Sequence, residues 1–234
     1  MPWNEMNGLV AQTILNLTSS SRFPGSMNVD LNEITMNLVP FPKMHYLTSC
    51  LAPLYLSKDL HLPPRRLDEM FTDAFNGNNA LIGADPRNHV FTATGLIARG
   101  KIDISDMRRN VIRMTSQLNF VNWNKEGWKV GLCNVPPSGQ PFSLLGIHNT
   151  TAVSDSFIQL RQRFIKLYKR KGNHYIIMSS QYSTISAHLH HYLQTDGFDS
   201  DWLPEASRSL HSVIQLYNEV QENKPVETPR LKIL

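Results

Sequence analysis

Apolar residues recur at three- and four-residue steps at both ends of the chain, while the middle holds them in short runs broken by proline and glycine. Near the start, Met6, Leu9, Val10, Ile14 and Leu17 share one stripe, which predicts an amphipathic helix over 4–20 packed on one side. Pro24-Gly25 breaks that pattern, and Asp30 opens a second short helix through Leu38. Asp30 with Glu33 three positions on has the capping-box spacing. Pro40 and Pro42 close the helix, because proline removes a backbone donor and clashes with the preceding turn. Residues 45–51 form a short apolar run expected to be a buried strand. Pro63-Pro64 precedes a helix over 65–75, with Leu67, Met70, Phe71 and Ala74 on its apolar side.

Residues 90–98 read as a strand, and Ile102-Asp103 leads into a helix carrying Met107, Val111 and Met114. Two more strands are predicted over 128–135 and 143–149, separated by Pro136-Pro137 and the loop around Gly139. From 30 to 149 the order is helix, strand, helix, strand, helix, strand, strand. That mixture predicts an α+β fold, a mixed sheet with helices on one face rather than a pure βαβ series. After Ala152 the pattern changes. Residues 154–171 place Phe157, Leu160, Phe164, Leu167 and Tyr168 on one stripe, and 204–220 repeat it with Ala206, Leu210, Val213, Ile214 and Tyr217. Two such helices are expected to pack on each other and on the sheet. The last residues, 222–234, carry two prolines and mixed charge and are expected to be loosely held.

Composition narrows the function without naming it. With 234 residues, 41% of them hydrophobic and 18% charged, the chain has an ordinary globular balance. No apolar run reaches the roughly 18 residues of a membrane span, and the first thirty residues lack the pattern of a secretory signal. Cys50 and Cys133 stand far apart and read as buried, reduced thiols. The Asn16 and Asn149 glycosylation patterns carry no meaning without a secretory route. The formal net charge of +4 comes with no nucleic-acid-binding motif, so nucleic acid is not an expected partner. His188, His190 and His191 lack helix-pair spacing and a carboxylate partner, so no metal site is expected. Arg161, Arg163, Lys166, Lys169, Arg170 and Lys171 make one late helix basic. They form either a solvated face or a docking strip for an acidic partner over 154–171.

One segment is more specific than the rest: Arg22-Phe23-Pro24-Gly25-Ser26-Met27-Asn28-Val29-Asp30-Leu31-Asn32-Glu33, running on to Asn37-Leu38-Val39-Pro40-Phe41-Pro42. Ala84-Asp85-Pro86-Arg87, Arg99-Gly100, Phe120-Val121-Asn122-Trp123, Pro136-Pro137, Asn149-Thr150-Thr151-Ala152-Val153 and His190-His191-Tyr192 follow in order. In this series the chain resembles the carboxyl-terminal half of the tubulins. Leu15-Asn16-Leu17-Thr18-Ser19-Ser20, Pro63-Pro64-Arg65-Arg66-Leu67-Asp68 and Pro229-Arg230-Leu231 resemble the epsilon branch of that family.

The resemblance implies a domain plan. Residues 1–21 would be the remnant of a core helix and 22–151 a two-layer α/β sandwich, the tubulin intermediate domain. Residues 152–221 would form a helical hairpin with an inserted loop over 172–186, and 222–234 a flexible tail. It also implies chemistry. Asn28, Asp30 and Glu33 would face the GTP of the next subunit along a filament, with Glu33 orienting the attacking water. Such a role is physically sound, because phosphoryl transfer depends mainly on positioning and electrostatics. The plainer reading of Asp30 and Glu33 is a helix cap, and one residue can do both jobs. Asn7 would meet a guanine ring, since an amide offers a donor and an acceptor together.

The implied role is that of a cytoskeletal, microtubule-family subunit of the cytoplasm and centrosome, acting in centrioles, basal bodies and compound microtubules. Its expected partners are other tubulins, through a longitudinal contact over 28–38, with delta-tubulin among them. The alternative is a non-catalytic module that binds tubulin or caps a filament end. Three departures qualify the picture. The chain has only 12 glycines and no cluster of them, so the nucleotide-binding half should precede residue 1, and this stretch is not expected to hold GTP by itself. As an enzyme it would at most lend Glu33 to a neighbour's GTP. The loop over 55–64, a lateral contact in tubulin filaments, is short, and residues 172–186 look inserted and should form a surface loop.

Overall fold

The computed structural model describes residues 2–55, 63, 65–168, 171–178, 181–186 and 189–222. Helix α1 spans Pro2–Leu17, and the single turn α2, Ser19–Arg22, follows it. Next come α3 (Leu31–Leu38), β1 (Thr48–Ala52), α4 (Leu67–Asp73), β2 (Phe91–Gly100) and α5 (Ile104–Gln117). Strands β3 (Trp128–Cys133) and β4 (Phe142–Thr150) complete the series expected over 30–149. The first strand begins at Thr48 rather than His45, because His45 turns back so that its Nδ1 lies 2.8 Å from Pro42 O.

The four strands form one mixed sheet in the order β1-β4-β2-β3. Strand β4 runs antiparallel to both β1 and β2, whereas β2 and β3 are parallel and are joined through α5. All ten residues of β2 are buried, as required of an inner strand covered on both faces. Alternation sorts the side chains by face. Leu96 and Ala98 of β2, Leu132 of β3 and Leu144 of β4 meet Met70 and Phe71 of α4, Ala74 just after it, and Met107 and Met114 of α5. This is the helical layer expected from the sequence. The opposite face is covered too: Ala93, Ile97, Leu145 and Ile147 pack with Ile34 and Leu38 of α3, and with Val29 and Leu17.

The apolar stripe of α1 departs from expectation. Leu9 and Leu17 are partly buried, but Met6, Val10 and Ile14 are each more than half exposed, as is Trp3. Instead, the carboxyl-terminal part of the helix meets the sheet through a polar residue, Asn16. Its Oδ1 accepts from Arg99 Nη1 at 3.2 Å and from Ser143 Oγ at 3.3 Å.

The chain divides into two compact units, Met1–Val153 with the end of the chain from Glu219, and Ser154–Asn218. In the first unit Gln221 Oε1 accepts from Val90 N at 3.3 Å and pairs with Thr151 Oγ1. The second unit contains most of α6 (Val153–Tyr168), then β5 (Lys171–Met178), β6 (Gln181–Ser186), α7 (Leu189–Leu193) and most of α8 (Trp202–Gln221). The two long helices expected after residue 152 are present. Pro204 falls in the first turn of α8, where its missing N–H costs nothing. The insertion is not the surface loop expected. Residues 171–178 and 181–186 pair as two antiparallel strands, with Tyr175 opposite Thr184 and Ile177 opposite Tyr182. The alternation of Tyr175, Ile177, Tyr182 and Thr184, all strand formers, favours pairing over an irregular loop. Most of 55–64, together with His188 and 223–234, lies outside the described residues.

Candidate functional site

The segment before α3 is fixed to the edge of the sheet before any side chain acts. Met27 N donates to Leu132 O at 3.4 Å, Leu132 N returns a bond to Met27 O at 2.8 Å, and Asn134 N reaches Pro24 O at 3.2 Å. Residues 24–27 therefore lie along β3 like a short extra strand. Val29 then drops into the core and α3 begins.

Asp30 has extended backbone angles, and one of its carboxylate oxygens accepts from Glu33 N at 2.6 Å. This satisfies one of the N–H groups that every helix start leaves without a partner. The reciprocal half of a capping box, in which the Glu33 carboxylate returns to the Asp30 backbone, does not form. Instead, Glu33 Oε2 lies 3.1 Å from the Lys129 ammonium. Lys129 is the second residue of β3. Its neighbours Trp128, Val130 and Leu132 turn to the α4–α5 face, so alternation directs Lys129 to the face that carries α3. The Glu33 side chain is 42% exposed and the Lys129 side chain 28%.

Of the residues singled out from sequence, Asp30 and Glu33 are brought together at the start of α3. Asn28 is exposed just before them, on the stretch pinned to β3. Asn7 is also exposed, on α1 among the bare apolar residues. In α6, Arg163 and Lys166 are exposed and Arg161 is half-buried. Neither glycosylation pattern is on the surface. Asn16 is tied to Arg99, and the buried Asn149 amide donates to Leu38 O at 2.7 Å and Met44 O at 2.8 Å. Both cysteines are buried free thiols, and burial pushes the Cys50 thiol up to about 12.

Sequence reasoning missed three residues. Lys129 was hidden because pairing it with Glu33 needs the third dimension, although its place between apolar neighbours in a strand pattern was a signal. Arg99 stands out in the sequence only as part of the Arg99-Gly100 pair. Its buried guanidinium also donates to Val135 O and Pro136 O, both at 3.3 Å, and lies over the Phe23 ring. Burial pulls its pKa below the ordinary guanidinium value. His148 carries no sequence signal, yet it is fully buried in β4, its Nδ1 beside Thr94 Oγ1 and its Nε2 near Ala74 O.

Comparison with known proteins places these features in a family. Residues 42–162 match the tubulin C-terminal domain. The chain is 51% identical to the tubulin epsilon chain of Mus musculus and 49% identical to that of Homo sapiens, in each case over 99% of its own length and 46% of the relative's. It is 31% identical to a tubulin alpha chain of Pneumocystis carinii over 94% of its length and 48% of the relative's. It thus spans about half the length of the curated relatives it matches. The mixed sheet with its helices agrees with the matched domain, and the chain belongs to the tubulin family, among its epsilon-like members.

Proposed function

We propose that this chain serves as the contact half of an epsilon-like tubulin subunit and lends Glu33 to the GTP carried by a neighbouring subunit. The observation that carries this reading is the disposition of the Glu33 carboxylate, half-exposed and paired with Lys129 rather than folded back onto its own helix start. The helix bearing it keeps Leu31, Asn32, Thr35 and Met36 exposed, which leaves residues 28–38 available as a longitudinal contact. In the reaction, the oxygen of a water held by Glu33 bonds to the γ-phosphorus. The bond from that phosphorus to the bridging oxygen breaks, and GDP leaves with the electron pair. The water protons pass to inorganic phosphate and solvent. Glu33 contributes orientation, which is most of what a protein can contribute to such a transfer. Assembly at centrioles and basal bodies follows from the likeness to epsilon-type chains.

The test is release of phosphate from GTP-loaded tubulin on addition of this chain. Release should rise with the wild-type chain and fall at least about tenfold with Glu33→Ala. Equal release from both would remove the catalytic role. Binding without any release would favour the filament-capping module instead.

A further inference from the structure

We propose that Lys129 is the positioning residue for Glu33, holding one carboxylate oxygen so that only the other faces the incoming nucleotide. The inference rests on the Glu33 reading above and adds a residue to it. Glu33 Oε2 is buried and lies 3.1 Å from Lys129 Nζ, although the side chain as a whole is 42% exposed. The exposed part of the carboxylate is therefore Oε1, and Oε1 has no partner among the described residues. A carboxylate on a flexible three-bond side chain samples many orientations, and an ammonium fixed on a neighbouring strand selects one of them.

Both ends of the pair are rigidly mounted. Lys129 lies opposite Gly95 in the parallel β2–β3 ladder. Glu33 sits in the first turn of α3, held by the Asp30 cap and by the Met27–Leu132 backbone bonds. The pair also addresses an electrostatic difficulty. A bare carboxylate approaching a triphosphate is repelled by it, and the repulsion strengthens as water leaves the contact. Lys129 cancels the Glu33 charge at close range, so Glu33 offers the nucleotide an acceptor oxygen from a neutral pair.

The experiment uses the full chain with GTP-loaded tubulin and measures phosphate release against chain concentration, separating the saturating rate from the half-saturating concentration. Lys129→Met should lower the saturating rate about tenfold and shift half-saturation by less than about threefold, the pattern of lost positioning rather than lost binding. Lys129→Arg, which keeps the charge, should recover most of the rate. In the Glu33→Ala background, Lys129→Met should change nothing further, because the two residues act as one unit. A Lys129→Met chain that melts like wild type and matches its rate overturns the proposal and leaves Glu33 standing. So does an undiminished Lys129→Met defect in the Glu33→Ala background. If Lys129→Met does not fold, Lys129→Gln and Lys129→Arg decide the matter by the same comparison. A wild-type chain that stimulates no release removes the Glu33 reading, and Lys129 falls with it.

Discussion

His148 Nε2 lies 2.8 Å from Ala74 O, joining the second strand of the sheet to the end of α4 inside the core. The ring packs against Phe75 and Phe91, and its other nitrogen meets Thr94 Oγ1. A neutral imidazole with its proton on Nε2 satisfies both contacts, donating to the carbonyl and accepting from the hydroxyl. Burial pushes the histidine down to about 4 from its ordinary 6.5, and the Ala74 carbonyl offsets this only in part.

The pH dependence of stability follows from that depression. An unfolded His148 takes up a proton below about pH 6.5, while the folded one resists until about pH 4, so the unfolded state binds more protons in between. Its full contribution is present above pH 6.5 and is lost as the pH falls towards 4. Urea unfolding of the chain should weaken by roughly 2–3 kcal/mol between pH 7.5 and 4.5 on this account. His148→Gln should be less stable at pH 7.5 and should flatten that slope. The same slope in both proteins would assign the titration to other groups.

Two glycines separate a steric requirement from a dispensable position. A Cβ on Gly25 would stand 2.0 Å from Leu132 O, on the stretch that runs along β3, so no side chain fits without breaking the backbone bonds of Met27 and Leu132. Gly8 lies within α1 with nothing within 4 Å of such an atom. Gly25→Ala should destabilise the chain by roughly 2 kcal/mol or more, and hydrogen exchange should show the Leu132 amide losing protection. Gly8→Ala should stabilise it by about 0.5–1 kcal/mol, since alanine loses less backbone freedom in a helix. Equal melting temperatures for Gly25→Ala and wild type would mean that 24–27 do not hold this path in solution.

The order of elements from α3 to β4 was legible because period and punctuation agreed. Asp30 with Glu33 marked one helix start, Pro40 and Pro42 its end, and the apolar run around Leu96 and Ile97 a strand, although helices were expected on one face of the sheet only and the structure covers both. The α1 stripe misled because periodicity reports an amphipathic helix but not what lies against it. In the structure Met6, Val10 and Ile14 are exposed, while the polar Asn16 makes the buried contact. The pairing of 171–178 with 181–186 was missed for the opposite reason. The look of an insertion suggested a surface loop, whereas the alternation of Tyr175, Ile177, Tyr182 and Thr184 carried the strand signal. At the candidate site the sequence offered Glu33 and Asp30 but could not say which of them caps and which is paired. That division depends on Lys129, which reaches them only through the sheet.

The division of labour between Asp30 and Glu33 can itself be tested. Asp30 accepts the Glu33 N–H, a task that a serine hydroxyl performs about as well and that alanine cannot perform. Asp30→Ala should therefore cost about 1 kcal/mol in urea unfolding, and Asp30→Ser less than about 0.5 kcal/mol. If capping is the whole of its role, Asp30→Ser should also stimulate phosphate release from GTP-loaded tubulin at close to the wild-type rate. Asp30→Ala should lose release only as far as fraying of the α3 start loosens Glu33. An Asp30→Ser chain of wild-type stability with strongly reduced release would show instead that the negative charge at position 30 acts on the nucleotide or its cation directly. The cap would then be the lesser of its two jobs, since hydroxyl and carboxylate serve the backbone alike and differ in the charge they present beyond it.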